Sequence, residues 1–274
     1  MLGRTRDRYL LALRHQDYRT LWIANACAGG AAWALIIARG WLAYEITGGL
    51  LWSGIVTFAT MVPRLFATPV MGFLADQFDR QTVLRWTYTF NLAHNVVLAV
   101  LVMVGVTAGP GGLWVLMGLS LLNGTLRSGQ MTTTQSLIPN LVPREHLPNA
   151  IALSSIAWQV GMIVGPAIGG YTYAILPALP YFVAGGLFAV SLLALSLIGK
   201  VPQPARPQNQ RPIHAMVEGL RYVVRNKMVL GAITLDLFAV FLAGATALFP
   251  VYARDILQVG ETGLAQLAMA PAVG

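Results

Sequence analysis

Long apolar stretches recur along this chain, and each has the length needed to cross a lipid bilayer. A hydrocarbon core of ~30 Å is spanned by about 20 helical residues, which is far longer than an ordinary strand. The pattern predicts an all-α membrane protein with about seven full transmembrane helices and part of an eighth. We number these predicted helices 1 to 8 in the order 20–44, 51–75, 83–106, 113–138, 150–174, 179–199, 228–250 and a last one that begins near Gly263.

The composition agrees with a membrane setting. Hydrophobic residues make up 56% of the chain and charged residues only 10%, whereas a soluble domain carries about 25% charged residues. In a soluble protein the net charge of +8 would suggest a nucleic-acid partner. Here no nucleic-acid partner is expected, because membrane proteins collect Lys and Arg in their cytoplasmic loops.

Most of the basic residues fall on one side of the predicted membrane. Only Arg254 lies in a loop on the opposite side. By the positive-inside rule, residues 1–19 are predicted to form a cytoplasmic N-terminus, with Gly109 and Asp255 outside. The basic residues of the predicted cytoplasmic side are Arg4, Arg6, Arg8, Arg14, Arg19, Arg80, Arg85, Arg144, Lys200, Arg206, Arg211, Arg221, Arg225 and Lys227.

One sizeable hydrophilic segment, 201–227, separates two groups of helices. Its proline-rich first half is predicted to be extended. Its second half is predicted to form an amphipathic helix on the cytoplasmic surface, with an apolar face of Met216, Val217, Leu220, Val223 and Val224. A six-helix bundle at 20–200, a basic linker and the start of further helices at 228–274 together form the layout of a two-bundle transporter. Since the chain stops inside helix 8, a C-terminal truncation is expected.

The loop after helix 2 resembles the signature loop of the major facilitator superfamily, Gly-x-Leu-Ala-Asp-x-x-Gly-Arg-(Arg/Lys). The resemblance implies the major facilitator fold, with close helix approach at Gly72 and a conformational latch at Asp76, while Arg80 begins the next helix. One departure is Asp79, which stands where the pattern has glycine. The stretch reads Gly72-Phe73-Leu74-Ala75-Asp76-Gln77-Phe78-Asp79-Arg80-Gln81.

Helix 5 contains a second such motif, which resembles the superfamily's antiporter motif, Gly-x-x-x-Gly-Pro-x-x-Gly-Gly. Glycines four residues apart form a groove into which another helix packs, and the proline allows a bend. The resemblance implies export, and the alternative is helix packing with no bearing on transport direction. The motif residues are Gly161, Gly165, Pro166, Gly169 and Gly170.

Three further stretches, 41–48, 141–150 and 249–257, resemble exporters of the enterobactin and macrolide efflux type. The resemblance covers essentially the whole chain, which corresponds to the first two-thirds of a twelve-helix member. A shorter stretch that begins at Arg127 resembles the Arg-x-x-Gln-Gly motif linked to proton coupling, with Met131 in place of the glycine.

Charged side chains inside the predicted helices are functional candidates, because each costs about 2.5–3.5 kcal/mol at a helix centre. At ~1.5 Å per residue, Arg64, Arg127 and Asp236 lie ~12–16 Å from the cytoplasmic ends of helices 2, 4 and 7. An Asp236–arginine pair is therefore expected, either for proton coupling or as a purely structural pair. The resemblance places helices 4 and 7 at the central cavity, which favours Arg127 over Arg64. Arg39, nearer the outer end of helix 1, is expected to snorkel.

Polar residues on helices 3 to 5 are the remaining candidates. Asn91, His94 and Asn95 on helix 3 are expected to form interhelical hydrogen bonds rather than a proton relay. The run 132–135 on helix 4 and the pair Trp158-Gln159 on helix 5 are candidates for a cavity that accepts amphipathic organic molecules, and the alternative for the threonines is bonding within their own helix.

The sequence thus predicts a secondary transporter and not an enzyme, since it contains no metal-ligand spacing, phosphate loop or catalytic set outside the bilayer. Neither a catalytic residue, a metal nor a cofactor is expected. The expected activity is proton-coupled efflux of small organic molecules from a bacterial-type cytoplasmic (inner) membrane. Two alternatives stay open, an importer or facilitator of the same fold and a non-transporting membrane fragment, and the oligomeric state is also open.

Overall fold

A computed structural model describes residues 11–109, 111–199, 201, 221–242, 249 and 252–273. Within these ranges the chain is helical and contains no strand. The helices are α1 (Gln16–Thr47), α2 (Leu50–Gln77), α3 (Arg80–Met103), α4 (Gly112–Leu137), α5 (Leu147–Ile175), α6 (Leu179–Ser196), α7 (Lys227–Leu242) and α8 (Gly260–Val273).

These helices correspond in order to predicted helices 1 to 8. The described part of α7 ends at Leu242, and α8 begins at Gly260 rather than Gly263. Four helices, α1, α3, α5 and α6, are long and apolar enough to cross a membrane, and α2 is a fifth if its two halves count as one span. Length and composition therefore support a multi-pass membrane protein, with fewer certain spans among the described residues than the seven predicted.

A bend of 41° divides α2 into the segments 51–64 and 66–75. Pro69 explains the position of this bend. Proline has no N–H, and its ring clashes with the carbonyl group four residues earlier, which here belongs to Leu65. The bend therefore falls between the two segments, directly after Arg64.

Helix α1 is the centre of the packing. It contacts α5, α6 and α2, while α2 also packs on α4, and α3 packs on α4 and α6. Successive helices run in opposite directions, so the bundle has a Gln16 end and a Thr47 end. We name the two ends after the first and last residues of α1.

Hydrogen bonds from side chains of α1 to backbone carbonyls of α5 join these two helices. Near the Gln16 end, Tyr18 donates a hydrogen bond to the Ala150 carbonyl at 2.7 Å, and the Trp22 indole donates to the Leu153 carbonyl at 2.8 Å. Such side-chain bonds to backbone carbonyls align two helices where lipid provides no hydrophobic drive for their association.

The predicted linker helix is described only in part. Val223 and Val224 lie in a short helical segment, 221–225, whereas Met216, Val217 and Leu220 lie outside the described residues. Its amphipathic character therefore stays a prediction.

Candidate functional site

A cavity of about 620 Å³ lies between α1, α4 and α5. It begins at Trp158 and reaches Leu147 and Pro139 at the Gln16 end of the bundle. Eleven residues separate Leu147 from Trp158, so the cavity extends ~16 Å along α5. Its lining combines amide, hydroxyl, aromatic and aliphatic groups from Asn25, Gln130, Met131, Thr134, Gln135, Ile138, Pro139, Leu147, Ile151, Ser154, Ser155, Trp158 and Gln159.

The candidate cavity residues on helices 4 and 5 are confirmed in part. Thr134, Gln135, Trp158 and Gln159 line the cavity. Thr132 instead donates to the Ser128 carbonyl of its own helix at 2.9 Å, which is the alternative stated for the threonines.

Trp158 forms the inner wall of the cavity together with two partners. The Arg127 guanidinium lies 5.2 Å above its ring, and Trp33 on α1 packs edge to face with it at 5.8 Å between ring centroids. A cation over an indole face is attracted by the negative charge of the ring. Arg127 thus lies at the inner end of the cavity, ten residues or ~15 Å from the end of α4.

Arg127 of α4 lies near Arg64 of α2. A side chain on Gly124 would overlap Thr60 and approach Pro63, so α2 contacts α4 directly beside Arg64 and one turn before Arg127. Arg64 and Arg39 are both near enough to Arg127 for their positive charges to repel its own. Arg64 and Arg127 thus lie on two helices that pack directly against each other.

Arg39 does not snorkel, so that expectation is wrong. Its side chain is only 4% exposed, and its Nε and Nη2 atoms are buried without a hydrogen-bond partner among the described residues. The packing of α6 on α1 covers the arginine, and Thr47 is eight residues away, which puts the helix end ~12 Å distant.

Asp236 belongs to α7, but its side chain lies outside what the structure describes. The expected pair between Asp236 and an arginine therefore stays a prediction. Among the described side chains, none of the three arginines forms a hydrogen bond or ion pair with an acidic group.

The glycines of the helix 5 motif contact two different helices. A methyl group on Gly161 would press on the backbone of Gly29 and Gly30, and one on Gly165 would overlap the Trp33 side chain. Gly169 meets Ala34 in the same way. The first three motif glycines therefore form the groove for α1.

Gly170 faces away from α1 and packs against α8. An added Cβ there would lie 2.5 Å from the Ala265 Cβ and 2.7 Å from the Glu261 carbonyl oxygen. Pro166 lies inside α5 and is buried, and α5 continues past it to Ile175. The motif thus joins α5 to its own bundle and, at one residue, to the helix beyond the linker.

The signature loop is built around Asp79 and Arg80. The Asp79 carboxylate caps α3 by accepting a 2.8 Å hydrogen bond from the Thr82 backbone N–H, and its φ of −60° requires no glycine. Arg80 donates to the Ser136 carbonyl at 2.6 Å, near the C-terminus of α4, where a cation is favourable.

Two other expectations for this loop have different outcomes. A Cβ on Gly72 would meet nothing within 4 Å, so the close helix approach expected there is not found among the described residues. The Asp76 side chain lies outside what the structure describes, and its role as a latch stays a prediction.

Polar residues on α3 form hydrogen bonds both within their own helix and to α4. Asn91 and Asn95 donate to the carbonyls of Thr87 and Asn91. The expected interhelical bonds are present as well: a His94 ring nitrogen lies 2.9 Å from the Leu119 carbonyl oxygen of α4, and the Asn123 amide donates to the Asn91 side-chain oxygen at 3.4 Å.

The Thr47 end of the bundle has contacts between distant segments that no local sequence pattern predicts. Tyr44 bonds to Asp255, and the Arg254 guanidinium lies 5.1 Å above the Tyr44 ring. Glu45 accepts hydrogen bonds from Trp41 at 3.0 Å and from Tyr173 of α5 at 2.6 Å. These contacts join α1 and α5 to the segment before α8.

A turn of π-helix, Tyr252–Ile256, positions the partners of Tyr44. The turn is anchored by its buried Ala253 and by a 2.8 Å bond from the Leu257 N–H to the Tyr252 carbonyl. The sequence analysis had matched both stretches to exporters, yet local patterns contain no signal that Tyr44 and Asp255 meet.

The geometry provides a polar and aromatic cavity that reaches one end of the bundle, with hydrogen-bonded contacts between distant segments at the other end. Among the described residues no group of three or more His, Cys, Asp or Glu side chains could hold a metal ion.

Comparison with known proteins identifies the family. A family model described as transmembrane secretion effector matches residues 9–273. The multidrug efflux pump Tap of Mycobacterium tuberculosis is 29% identical over 262 residues, which cover 86% of this chain and 58% of Tap. The enterobactin exporter EntS of Shigella boydii is 26% identical, over 78% of this chain and 47% of EntS.

Two further proteins similar to this chain are also transporters by name. The staphyloferrin A transporter of Staphylococcus aureus is 25% identical over 86% of this chain and 59% of its own length, so the chain spans about half to three-fifths of these relatives. A bacterial homologue of the human lysosomal transporter Spinster, crystallised in an inward-facing and unoccupied conformation, shares the fold with a TM-score of 0.68. Its sequence identity is 16%, over 94% of this chain and 60% of that protein.

The chain is therefore a multi-pass membrane protein with the major facilitator fold, in a superfamily of transporters rather than enzymes, and it belongs to the transmembrane secretion effector family.

Proposed function

We propose that the protein exports small organic molecules of the drug or siderophore type by a proton-coupled mechanism. The observation that carries this proposal is the asymmetry of the bundle. A cavity of about 620 Å³ reaches the Gln16 end, while a hydrogen bond between Tyr44 and Asp255 bridges α1 and the segment before α8 at the Thr47 end. Alternating access requires one state in which the cavity opens at one end of the bundle and a second state in which it opens at the other end.

The direction of export depends on the orientation of the bundle. The basic residues before α1 and in the loops of the Gln16 end support a cytoplasmic location of that end, in a bacterial-type cytoplasmic (inner) membrane. In this orientation the cavity receives molecules from the cytoplasm or the inner leaflet. Opening of the Tyr44–Asp255 contact then releases them outside.

Coupling is assigned to Asp236 with Arg127 and Arg64. A carboxylate at this depth is costly unless it is paired or protonated. Proton binding at Asp236 would remove its attraction to the nearby arginines and so change the relative stability of the two states. Asp76 is proposed as the latch between bundles, and the glycines at 161, 165, 169 and 170 as the surfaces along which helices move.

Everted membrane vesicles test both parts of this proposal. Vesicles from cells that express the protein are energised with lactate and offered ethidium, erythromycin or an iron-free siderophore. We expect saturable accumulation of at least one compound, which an uncoupler abolishes. Accumulation that persists in the presence of the uncoupler would contradict proton coupling.

Asp236→Asn tests the coupling residue. The variant should lose accumulation against a gradient yet keep exchange of compound down a gradient, because the amide cannot exchange a proton. Asp17→Asn, at the start of α1, is the matched control and should behave as the unaltered protein. Full energy-dependent accumulation by Asp236→Asn would exclude this residue as the proton carrier.

A further inference from the structure

Three arginines inside the membrane region have buried nitrogen atoms with no hydrogen-bond partner in the part of the chain that the structure describes. Arg39 and Arg127 are only 4% and 6% exposed. The Nε atoms of Arg39, Arg64 and Arg127, and Nη2 of Arg39, form no hydrogen bond with any residue that the structure describes. Burying a guanidinium without a partner is strongly unfavourable, so a ligand that supplies acceptors would relieve this cost.

The positive charges outnumber the negative ones at this depth. In the sequences of α1 to α6 the only acidic residues are Asp17, Glu45 and Asp76, and all three lie near helix ends. Asp236 of α7 is the one carboxylate predicted at the depth of Arg64 and Arg127. Even if Asp236 pairs with one of these two arginines, the other has no carboxylate partner at this depth in the sequences of α1 to α7.

Arg127 is the arginine nearest to the cavity. It lies one helical turn before Gln130 and Met131, which line the cavity, and its guanidinium lies 5.2 Å above the Trp158 ring, which also lines it. Thr134 lies one turn further along the same wall. An anionic group that reaches Trp158 therefore comes within reach of Arg127.

We propose that the cavity selects aromatic organic anions, with a carboxylate bound by Arg127 and a planar ring packed against Trp158. The inference rests on the proposed export function and names its substrate class. Guanidinium recognises carboxylate with two parallel hydrogen bonds, which gives geometric selectivity beyond charge alone. The excess positive charge at this depth disfavours a cation in the same position.

Two dyes of one scaffold and opposite charge provide the test. Fluorescein is an anion and rhodamine 123 a cation, and both contain the planar xanthene ring. Binding to the purified protein in detergent is measured by fluorescence anisotropy. We expect fluorescein to bind at least about tenfold more tightly than rhodamine 123, as a charge-assisted hydrogen bond predicts.

Arg127→Gln should weaken fluorescein binding about tenfold and leave rhodamine 123 unchanged, and Arg127→Lys should be intermediate. Arg85→Gln is the matched control, because Arg85 is exposed on α3 away from the cavity. If Arg127→Gln does not fold, the inference is tested by the ratio of fluorescein affinity to rhodamine 123 affinity in the unaltered protein. Equal binding, tighter rhodamine binding, no binding of either dye, or fluorescein binding that Arg127→Gln does not change would each overturn the inference.

Transport of the same dyes separates this inference from the proposed function. Energy-dependent export of rhodamine 123 without fluorescein keeps the exporter function and overturns the anion preference. Fluorescein binding through Arg127, without energy-dependent transport of either dye or of any compound offered to the everted vesicles, keeps the anion site and overturns the exporter function.

Discussion

The Tyr44 hydroxyl of α1 lies 3.0 and 2.9 Å from the two carboxylate oxygens of Asp255, to which it donates a bifurcated hydrogen bond. Tyr44 is only 6% exposed, and its ring also supports the Arg254 guanidinium. The two residues are 211 positions apart in the chain. Their contact is a direct link between the first bundle and the segment that precedes α8.

Tyr44→Phe should loosen the Thr47 end. Loss of a hydrogen bond to a charged group weakens the closed state by about 1.5–3 kcal/mol, or about tenfold or more in its population. Leu264, 1% exposed on α8, serves as reporter when replaced by cysteine in a Cys27→Ala background. The labelling rate of this cysteine in detergent should rise about tenfold in Tyr44→Phe.

Tyr171→Phe is the control for this measurement. Tyr171 lies on α5 and is 46% exposed, so loss of its hydroxyl should leave labelling unchanged. An equal labelling rate in Tyr44→Phe and the unaltered protein would show that the Asp255 contact does not hold this end closed.

Gly165→Ala should destabilise the packing of α5 on α1. The new methyl group overlaps Trp33 and lies 2.8 Å from the Gly30 carbonyl oxygen, and overpacking of this kind costs about 1–3 kcal/mol. Thermal unfolding of the purified protein measures the effect. Gly186→Ala on α6 is the matched control, since nothing lies within 4 Å of its added Cβ. Similar melting temperatures for the two variants would disprove tight contact at Gly165.

Gly165→Leu tests the same groove through function. The larger side chain prevents close approach of α1, so export should be abolished, while membrane insertion should be normal because hydrophobicity increases. Export assays and the amount of protein in the membrane fraction are measured together. Full export by Gly165→Leu would show that the groove is not needed.

Asp79→Ala should lower stability by about 1 kcal/mol, because the Thr82 N–H loses its acceptor at the start of α3. Asp79→Asn keeps an acceptor oxygen and should retain most of the stability. Thermal unfolding of both variants distinguishes capping from charge. An Asp79→Asn protein as unstable as Asp79→Ala would indicate that the negative charge of Asp79, rather than its hydrogen bond to Thr82, stabilises the start of α3.

Orientation is tested by thiol labelling of intact cells in the Cys27→Ala background. A cysteine at Gly109, in the loop between α3 and α4, should react with an impermeant reagent. A cysteine at Glu145, exposed before α5 at the Gln16 end, should react only after the cells are opened. The reverse pattern would overturn the proposed cytoplasmic location of the N-terminus.

The positions of the helices were predictable because each depends on its own stretch of chain. An apolar segment of about 20 residues prefers lipid whatever its neighbours are, and in lipid its backbone groups must bond within the helix. Charge at the loops is likewise a local property. The boundaries of α1 to α6 therefore follow the predicted spans closely.

Single side chains were predicted less well, because their role depends on which helix covers them. Arg39 was expected to snorkel from its distance to the helix end alone, but neighbouring helices bury it. The close helix contact that motif resemblance predicts at Gly72 has no counterpart among the described residues, and it stays a prediction.

The sequence by itself determined the helical membrane architecture, the glycine groove on α5 and the presence of arginines at mid-depth, since these depend on local composition and helical spacing. Only the tertiary structure decided that Gly161, Gly165 and Gly169 meet α1 while Gly170 meets α8. It also decided that Tyr44 meets Asp255. Contacts between distant segments depend on how helices rotate and tilt against one another, and this arrangement results from packing of all the helices together rather than from any one stretch.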